Sequence, residues 1–329
     1  MNPIIVEFLT KIELGEPRVF ENMAVVALFT SLEGGPPYIT LGEALEKRLL
    51  TITEVSQAGS VPELKVVNRA DIPILLLDGE ELEGAKQNRV LNTTILLKEG
   101  AETIIPVSCT EQGRWAYASR EFEPSGNLMY KKARAKKVAS VSRSLKDSLA
   151  YASNQREVWD ELTYLAKDAQ VFSPTQAMRD VFEAKEEELA VFLKAFPCLE
   201  DQKGILVIVN GKAVGFDILS RSQAYKQIHG KLVKSYAMDA LFRKEKGTHS
   251  PIEREASRFI EEAKTCQEER YESVGYGWDH RFEGKTIVGS SLVYQDTVIH
   301  MAFFRAEETD RAGRISSPSR RRAFRFWEI

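Results

Sequence analysis

Three cysteines in 329 residues, Cys109, Cys198 and Cys266, are too few and too scattered for a disulfide framework. Long apolar runs are missing as well. None approaches the roughly 20 residues that cross a bilayer, so no membrane partner is expected. The opening Met1-Asn2-Pro3-Ile4 lacks a positively charged segment followed by an apolar stretch, so no secretory leader is expected. Neither sign of charge dominates, with 45 Lys+Arg against 48 Asp+Glu and a formal net charge of −3. A dedicated nucleic-acid binder usually carries a basic domain instead. There is no Walker loop, G-x-S-x-G elbow, dinucleotide fingerprint, paired C-x-x-C or H-x-x-x-H. These absences remove collagen, coiled coil, membrane span, disordered scaffold and classical zinc finger, along with the strongest signatures of the common enzyme classes. What is left, 43 % hydrophobic and 28 % charged residues, is the composition of a soluble folded protein, expected to be cytoplasmic.

The first 120 residues read mostly as strands. Residues 24–30, 64–67, 74–77, 90–97 and 103–108 are short, rich in β-branched side chains and bounded by Gly, Pro or Asn. A short helix over 41–49 interrupts them. From about Gly126 the period becomes helical, with Val138, Val141, Leu145 and Leu149 stepping by three and four. The other positions of that helix carry Lys131, Lys132, Arg134, Lys136, Lys137, Arg143 and Lys146, and are expected to face outward. Ser173-Pro174-Thr175-Gln176 reads as a capping box opening a helix whose core stripe runs from Met178 to Phe196, and Ser250-Pro251-Ile252-Glu253 repeats the device. Between them, 205–209 and 212–219 form a hairpin turned by Asn210-Gly211, and a helix follows over 225–240. Strands return at 286–294 and 297–304. The segments 64–78 and 206–217 resemble each other, as do 90–97 and 287–294. Either a β-hairpin unit is duplicated or any two Val/Ile/Leu-rich hairpins align this well.

The densest polar stretch is Asp78-Gly-Glu-Glu-Leu-Glu-Gly-Ala-Lys-Gln-Asn-Arg89, with four carboxylates, a lysine, an arginine and two amides in 12 residues after an apolar strand. Asp78, Glu80, Glu81 and Glu83 can supply oxygen ligands for a divalent metal such as Mg²⁺, or an acid/base pair. Lys86 and Arg89 can hold a phosphate or carboxylate, Arg89 bidentately. The plain alternative is a solvated turn whose charges neutralise one another, although Gln87, Asn88 and Asn92 are more than such a turn needs. A second cluster follows at Cys109, Glu111, Gln112, Arg114 and Trp115. Cys109 is a nucleophile if a nearby cation lowers its thiol pKa and otherwise a small buried apolar residue. Trp115 suits a stacked base, a core position or a lid. A third stretch holds Asp279 and His280, which as strand neighbours point to opposite faces and form no dyad. The helix from Lys131 to Lys146 and the tail from Arg311, with six arginines against the single acid Glu328, can contact phosphates. Basic faces of amphipathic helices are more often simply their wet side.

The runs Leu76 to Arg89 and Ile105 to Trp115 together resemble a prokaryotic domain family of unassigned activity, associated with ADP-ribosylglycohydrolases and with the rhodanese/phosphatase superfamily. The hairpin from Gly204 and the strands from Tyr271 to Phe304 extend the resemblance over most of the chain. It implies a context of ADP-ribose and phosphoester chemistry rather than a mechanism. The expected fold is α+β: an antiparallel sheet from N-terminal and C-terminal strands with a helical middle. One integrated domain is expected over 1–310 (β-rich 1–120, helical 126–200, mixed 201–306), followed by a basic, flexible tail over 311–329. Two functions fit. One is an enzyme or sensor for a phosphorylated nucleotide-derived ligand such as ADP-ribose, with Asp78, Glu80, Glu83, Cys109 and Glu111 as catalytic candidates. Its ligand-binding candidates are Lys86, Gln87, Asn88, Arg89, Asn92, Gln112, Arg114 and Trp115. The other is a non-catalytic interaction protein of a defence or stress system, binding a protein or nucleic acid.

Overall fold

A computed structural model describes residues 1–32, 35–242 and 251–306. The strands and helices expected above resolve into an α+β fold that is antiparallel almost throughout. The largest sheet has nine strands. Its centre is Met23–Thr30 beside Gly204–Val209, then Lys212–Leu219, Thr297–Arg305, Ile287–Tyr294, Trp278–Glu283 and Gln267–Glu272, with Ile12–Leu14 and Arg18–Phe20 on the outer side of Met23–Thr30. N-terminal and C-terminal strands therefore share one sheet, through the pairing of Val26 with Leu206 and of Asp217 with Ala302.

Strand alternation gives this sheet two apolar faces. Val25, Ile205, Val207, Ile299 and Phe304 pack beneath the helices Lys131–Ser148 and Ser222–Phe242. Val26, Leu206, Phe216, Met301 and Phe303 pack against Pro3–Thr10 and Ile252–Lys264 on the other side. A six-stranded sheet, in the order Phe122–Leu128, Glu80–Gly84, Arg89–Leu91, Glu102–Cys109, Glu63–Asn68 and Leu50–Glu54, shares a third core with the three strands Ile95–Leu97, Ile74–Leu76 and Ile39–Thr40. Among the described residues no helix is long and apolar enough to cross a membrane.

Several boundaries depart from the sequence reading for identifiable reasons. The run 90–97 is not one strand: Asn92, Thr93 and Thr94 leave the ladder to make side-chain bonds, dividing it into Arg89–Leu91 and Ile95–Leu97. The proposed duplication is not matched by the pairing. Residues 206–217 form a hairpin, whereas Glu63–Asn68 pairs with Glu102–Cys109 and Leu50–Glu54 and never with Ile74–Leu76. Ser173 caps a turn rather than a helix. Its hydroxyl accepts from Ala177 N at 2.8 Å, Gln176 takes φ 54°, and the helix starts at Met178. Ser250 lies outside the described residues, and so does the tail from Arg311. The Asn210-Gly211 turn forms as its residue types require, with φ 51° and 75°. The helices Pro3–Thr10 and Gln155–Ala169 add to those expected from the sequence: Asn2 and Asn154 cap them, with Pro3 at the first helical position of the former.

The largest correction concerns Lys131–Ser148. Leu149, expected inward, is exposed in a left-handed C-cap, while Lys131, Arg134 and Lys137, expected outward, are buried. Arg134 forms a two-bond pair with Asp217 (2.6 and 3.1 Å), and Lys137 binds Asp78. Lys132 and Lys136 pair with Glu161, Arg143 with Glu157, and Lys146 with Glu269 and Glu283. A helix lying between two sheets has no single wet side, and its cations are met by acids from elsewhere in the chain. This face is committed to internal partners rather than presented to a polyanion. Arg134→Ala strips the buried Asp217 of its guanidinium and is expected to cost about 3–5 kcal/mol in urea unfolding at pH 7, against under about 1 kcal/mol for Lys132→Ala at the surface. Equal losses in the two variants would contradict the assignment.

Candidate functional site

The polar stretch 78–89 is a buried hairpin rather than a solvated turn. The strand Ile74–Leu76 runs into a turn at Gly79 (φ 87°), where a Cβ would lie 3.1 Å from Arg134 Nε. Glu80–Gly84 then pairs antiparallel with Arg89–Leu91. Asp78, Glu80, Glu81 and Arg89 are each no more than 1 % exposed, so every one of these groups needs a partner. The structure sorts the candidate residues into three places.

The first is the interior. Asp78 binds Lys137, whose ammonium also donates to Leu91 O (2.9 Å) and Asn92 O (3.3 Å). Asn92 donates to Tyr151 O at 3.0 Å and accepts from Ser108 Oγ at 2.7 Å. Asp78 N donates to Thr94 Oγ1, which meets His300 Nδ1 at 2.8 Å, and His300 Nε2 lies 3.4 Å from Asp217 Oδ1. Burial opposes the Asp217 charge, but the Arg134 guanidinium and His300 hold its carboxyl far below the usual carboxylate range. Glu80 accepts from Lys231 Nζ at 2.7 Å and from Leu77 N at 2.9 Å. Asp78, Glu80 and Asn92 thus join the sheets to the helices. Among the described residues no group of three or more His, Cys, Asp or Glu is disposed to hold a metal ion. Asp279 bonds Thr93 and Arg281 while His280 meets Glu268, on opposite sides of their strand.

The second place is a surface cleft of about 380 Å³ whose lining includes Glu83, Asn88, Glu111, Arg114 and Arg179. Arg114 is fully engaged, donating to both oxygens of Glu111 (2.9 and 2.7 Å), to Asn88 Oδ1 and to the carbonyls of Ala85, Ala116 and Gly84. Burial pushes the Glu111 carboxyl up, but bonds from Arg114, Thr175 and Asn88 prevail and hold it below its ordinary value. Glu83 pairs with Arg179 at 2.7 Å across the cleft wall. On the same face of the Glu80–Gly84 strand, Glu81 accepts from Thr110 Oγ1 at 2.8 Å and leaves Oε2 without a hydrogen bond. Burial drives its pKa up to about 7.

The third place is a buried polar cluster around Arg89. Its Nη1 donates to Gln87 O (3.2 Å) and Gln87 Oε1 (3.1 Å), while Nε and Nη2 have no hydrogen-bond partner. Glu54, at the end of an alternating strand 35 positions upstream in the chain, sets Oε1 at 3.8 Å from Nη2; its Oε2 is buried and unpartnered. The Trp115 ring, about half exposed, covers the guanidinium at 5.5 Å. Lys86 Nζ lies 5.3 Å from the Trp115 ring and 5.1 Å from Tyr117, and donates to Ala58 O at 2.7 Å, fastening two surface loops together. Gln112 borders the cluster only through its carbonyl, 3.5 Å from Gln87 Nε2. Burial pushes the Cys109 thiol up to about 11, which Arg89 only partly offsets, so it is a protonated thiol at neutral pH. Glu54 and Arg179 escaped the sequence reading because each meets its partners only across the fold; nothing local marks them.

The buried Glu81 gives a pH test. Its carboxyl titrates near 4.5 when unfolded and near 7 when folded, so the folded state holds the proton more tightly. Its contribution to stability is full below about pH 4.5 and is lost as the pH rises through 7. Glu81→Gln keeps an acceptor for Thr110 and removes the charge. The variant is expected to gain roughly 3 kcal/mol over the parent at pH 8 and little at pH 4.5 in urea unfolding. A variant less stable at pH 8 would show that the charged form is the one the fold favours.

Comparison with known proteins gives one match. The model of the ARPP-1 family, described as the ARG and Rhodanese-Phosphatase-superfamily-associated Protein domain, matches residues 11–304. No curated protein and no solved structure matches the chain.

Proposed function

We propose that this chain, which belongs to the ARPP-1 domain family, takes up a phosphorylated nucleotide-derived ligand such as ADP-ribose beneath Trp115, as an enzyme or sensor. One observation carries the reading: a wholly buried arginine keeps two guanidinium nitrogens without a hydrogen bond directly under a half-exposed indole. Each unmet buried donor costs about 1–3 kcal/mol, a cost that a ligand acceptor removes. Trp115 and Tyr117 offer faces for a base, and Lys86, between them, offers a positive charge for a phosphate. The association in the family's description with ADP-ribosylglycohydrolase proteins fits such a ligand. In this reading Arg89, Lys86 and Trp115 are the binding residues. Arg114 fixes the hairpin from the cleft side, and of the carboxylates Asp78, Glu80, Glu83 and Glu111, Glu83 is the one partly exposed.

The test is thermal unfolding with ADP-ribose, NAD, free nucleotides and Mg²⁺ added in turn. A ligand at a hundredfold excess over its Kd should stabilise the parent by about 2.7 kcal/mol. Trp115→Ala and Lys86→Ala change exposed or partly exposed side chains, so they should fold and lose most of that shift. A shift retained in full by both variants would move the site elsewhere. A parent indifferent to every compound would turn the reading toward a partner surface.

A further inference from the structure

The unpaired groups in the Arg89 cluster are of both kinds, and this carries more than the presence of a ligand. Arg89 offers two donors, Nε and Nη2, and Glu54 Oε2 offers an acceptor, all buried and all without hydrogen-bond partners. The side chains stand 3.8 Å apart at Nη2 and Oε1, too far for a hydrogen bond and close enough to engage one small group together. From this geometry we infer that the cluster reads the edge of a planar ring or carboxamide that carries an N–H beside a hydrogen-bond acceptor. The phosphates of the same ligand lie outward, at Lys86. The inference rests on the function proposed above and assigns an orientation to its ligand.

The alternative is a phosphate seated on Arg89, and the electrostatics oppose it. A phosphate oxygen needs donors only, and it would lie against the Glu54 carboxylate, a like charge in a desolvated site where repulsion is strongest. A base edge or a carboxamide meets both sides: its acceptor takes the Arg89 N–H groups and its amine donates to Glu54 Oε2. The Trp115 ring above the guanidinium suits a flat group and does nothing specific for a tetrahedral one. The Lys86 ammonium, by contrast, bonds the Ala58 carbonyl and sits at the rim between two aromatic rings, where a phosphate stays partly hydrated, while the Lys86 backbone N–H donates to Glu54 Oε1 at 3.3 Å. The Arg89 and Glu54 side chains are covered in this structure. A Cβ on Gly59 would meet Lys86 Cδ at 3.1 Å, the Trp115 ring at 3.2 Å and Glu54 Oε2 at 3.3 Å, so the Gly59 and Trp115 loops must part for entry.

The adenine of an adenosine ligand and the carboxamide of a nicotinamide ligand share the required edge, and the experiment separates them. Binding of ADP-ribose, adenosine, nicotinamide and pyrophosphate is measured by calorimetry on the parent and on Glu54→Gln. Adenosine or nicotinamide, whichever is the source, should bind the parent and compete with ADP-ribose, whereas pyrophosphate, held only at the Lys86 rim, should compete at least tenfold more weakly. Glu54→Gln should weaken ADP-ribose at least tenfold. Purine riboside, which lacks the exocyclic amine, should bind the parent at least tenfold more weakly than adenosine if the edge is adenine; this arm needs no folded variant. Tighter ADP-ribose binding by Glu54→Gln, with pyrophosphate competing on the parent as strongly as adenosine or nicotinamide, would overturn the orientation and leave the ligand reading standing. Failure of ADP-ribose, adenosine and nicotinamide to bind the parent would overturn both.

Discussion

The placement of every candidate residue depends on two cations buried one helical turn apart. Arg134 and Lys137 leave the same helix and end on Asp217, in the nine-stranded sheet, and Asp78, at the mouth of the 80–91 hairpin. A buried charge without a counter-ion costs several kcal/mol, so only one relative placement of helix, sheet and hairpin satisfies both pairs. Tyr236 and His300 add to the bonding of the Asp217 carboxylate, and Thr94 Oγ1 accepts from the Asp78 backbone N–H, which ties the same two residues further into the fold. Replacing such pairs with apolar residues is often neutral in other proteins. Here their effect is positional: the hairpin emerges where Asp78 is fixed.

That fixed hairpin explains why two arginines of similar sequence surroundings behave so differently. Arg114 spends its whole guanidinium on Glu111, Asn88 and three carbonyls, and closes the far side of the hairpin. Arg89, on the hairpin's second strand, is held by Gln87 through one nitrogen and leaves the other two uncommitted. Satisfied polar networks make a fold rigid and unique, whereas unmet groups at a buried position are where recognition is most often stored. Carboxylates follow the same division. Asp78 and Glu80 bond the ammoniums of Lys137 and Lys231 and serve architecture, whereas Glu54 stands 3.8 Å from its arginine, too far for a hydrogen bond.

Glu81 and Cys109 show a third outcome, in which burial sets the protonation state. Neither has a partner strong enough to offset desolvation, so the carboxyl rises to about 7 and the thiol to about 11. The first therefore changes charge near neutrality beside the cleft. The second stays neutral there, although the Arg89 guanidinium is close enough to lower it.

Sequence alone determined what local physics determines. Short β-branched runs located part of the strands, the Asn210-Gly211 pair fixed a hairpin turn, and helical spacing placed Val138, Val141 and Leu145 and the stripe from Tyr225 to Ala240 in the core. The unusual polarity of 78–89 also marked the hairpin that matters, because charges and amides following an apolar strand are conspicuous at short range. Only the tertiary structure decided what each of those groups does. Arg134 and Lys137 read as a wet face because their acids stand 83 and 59 positions away. Glu54 carries no mark in the sequence, because its arginine stands on another strand of the six-stranded sheet, with two strands between them. A side chain's period along the chain is a local property, but whether it is paired, neutral or left unmet depends on what the fold brings opposite it.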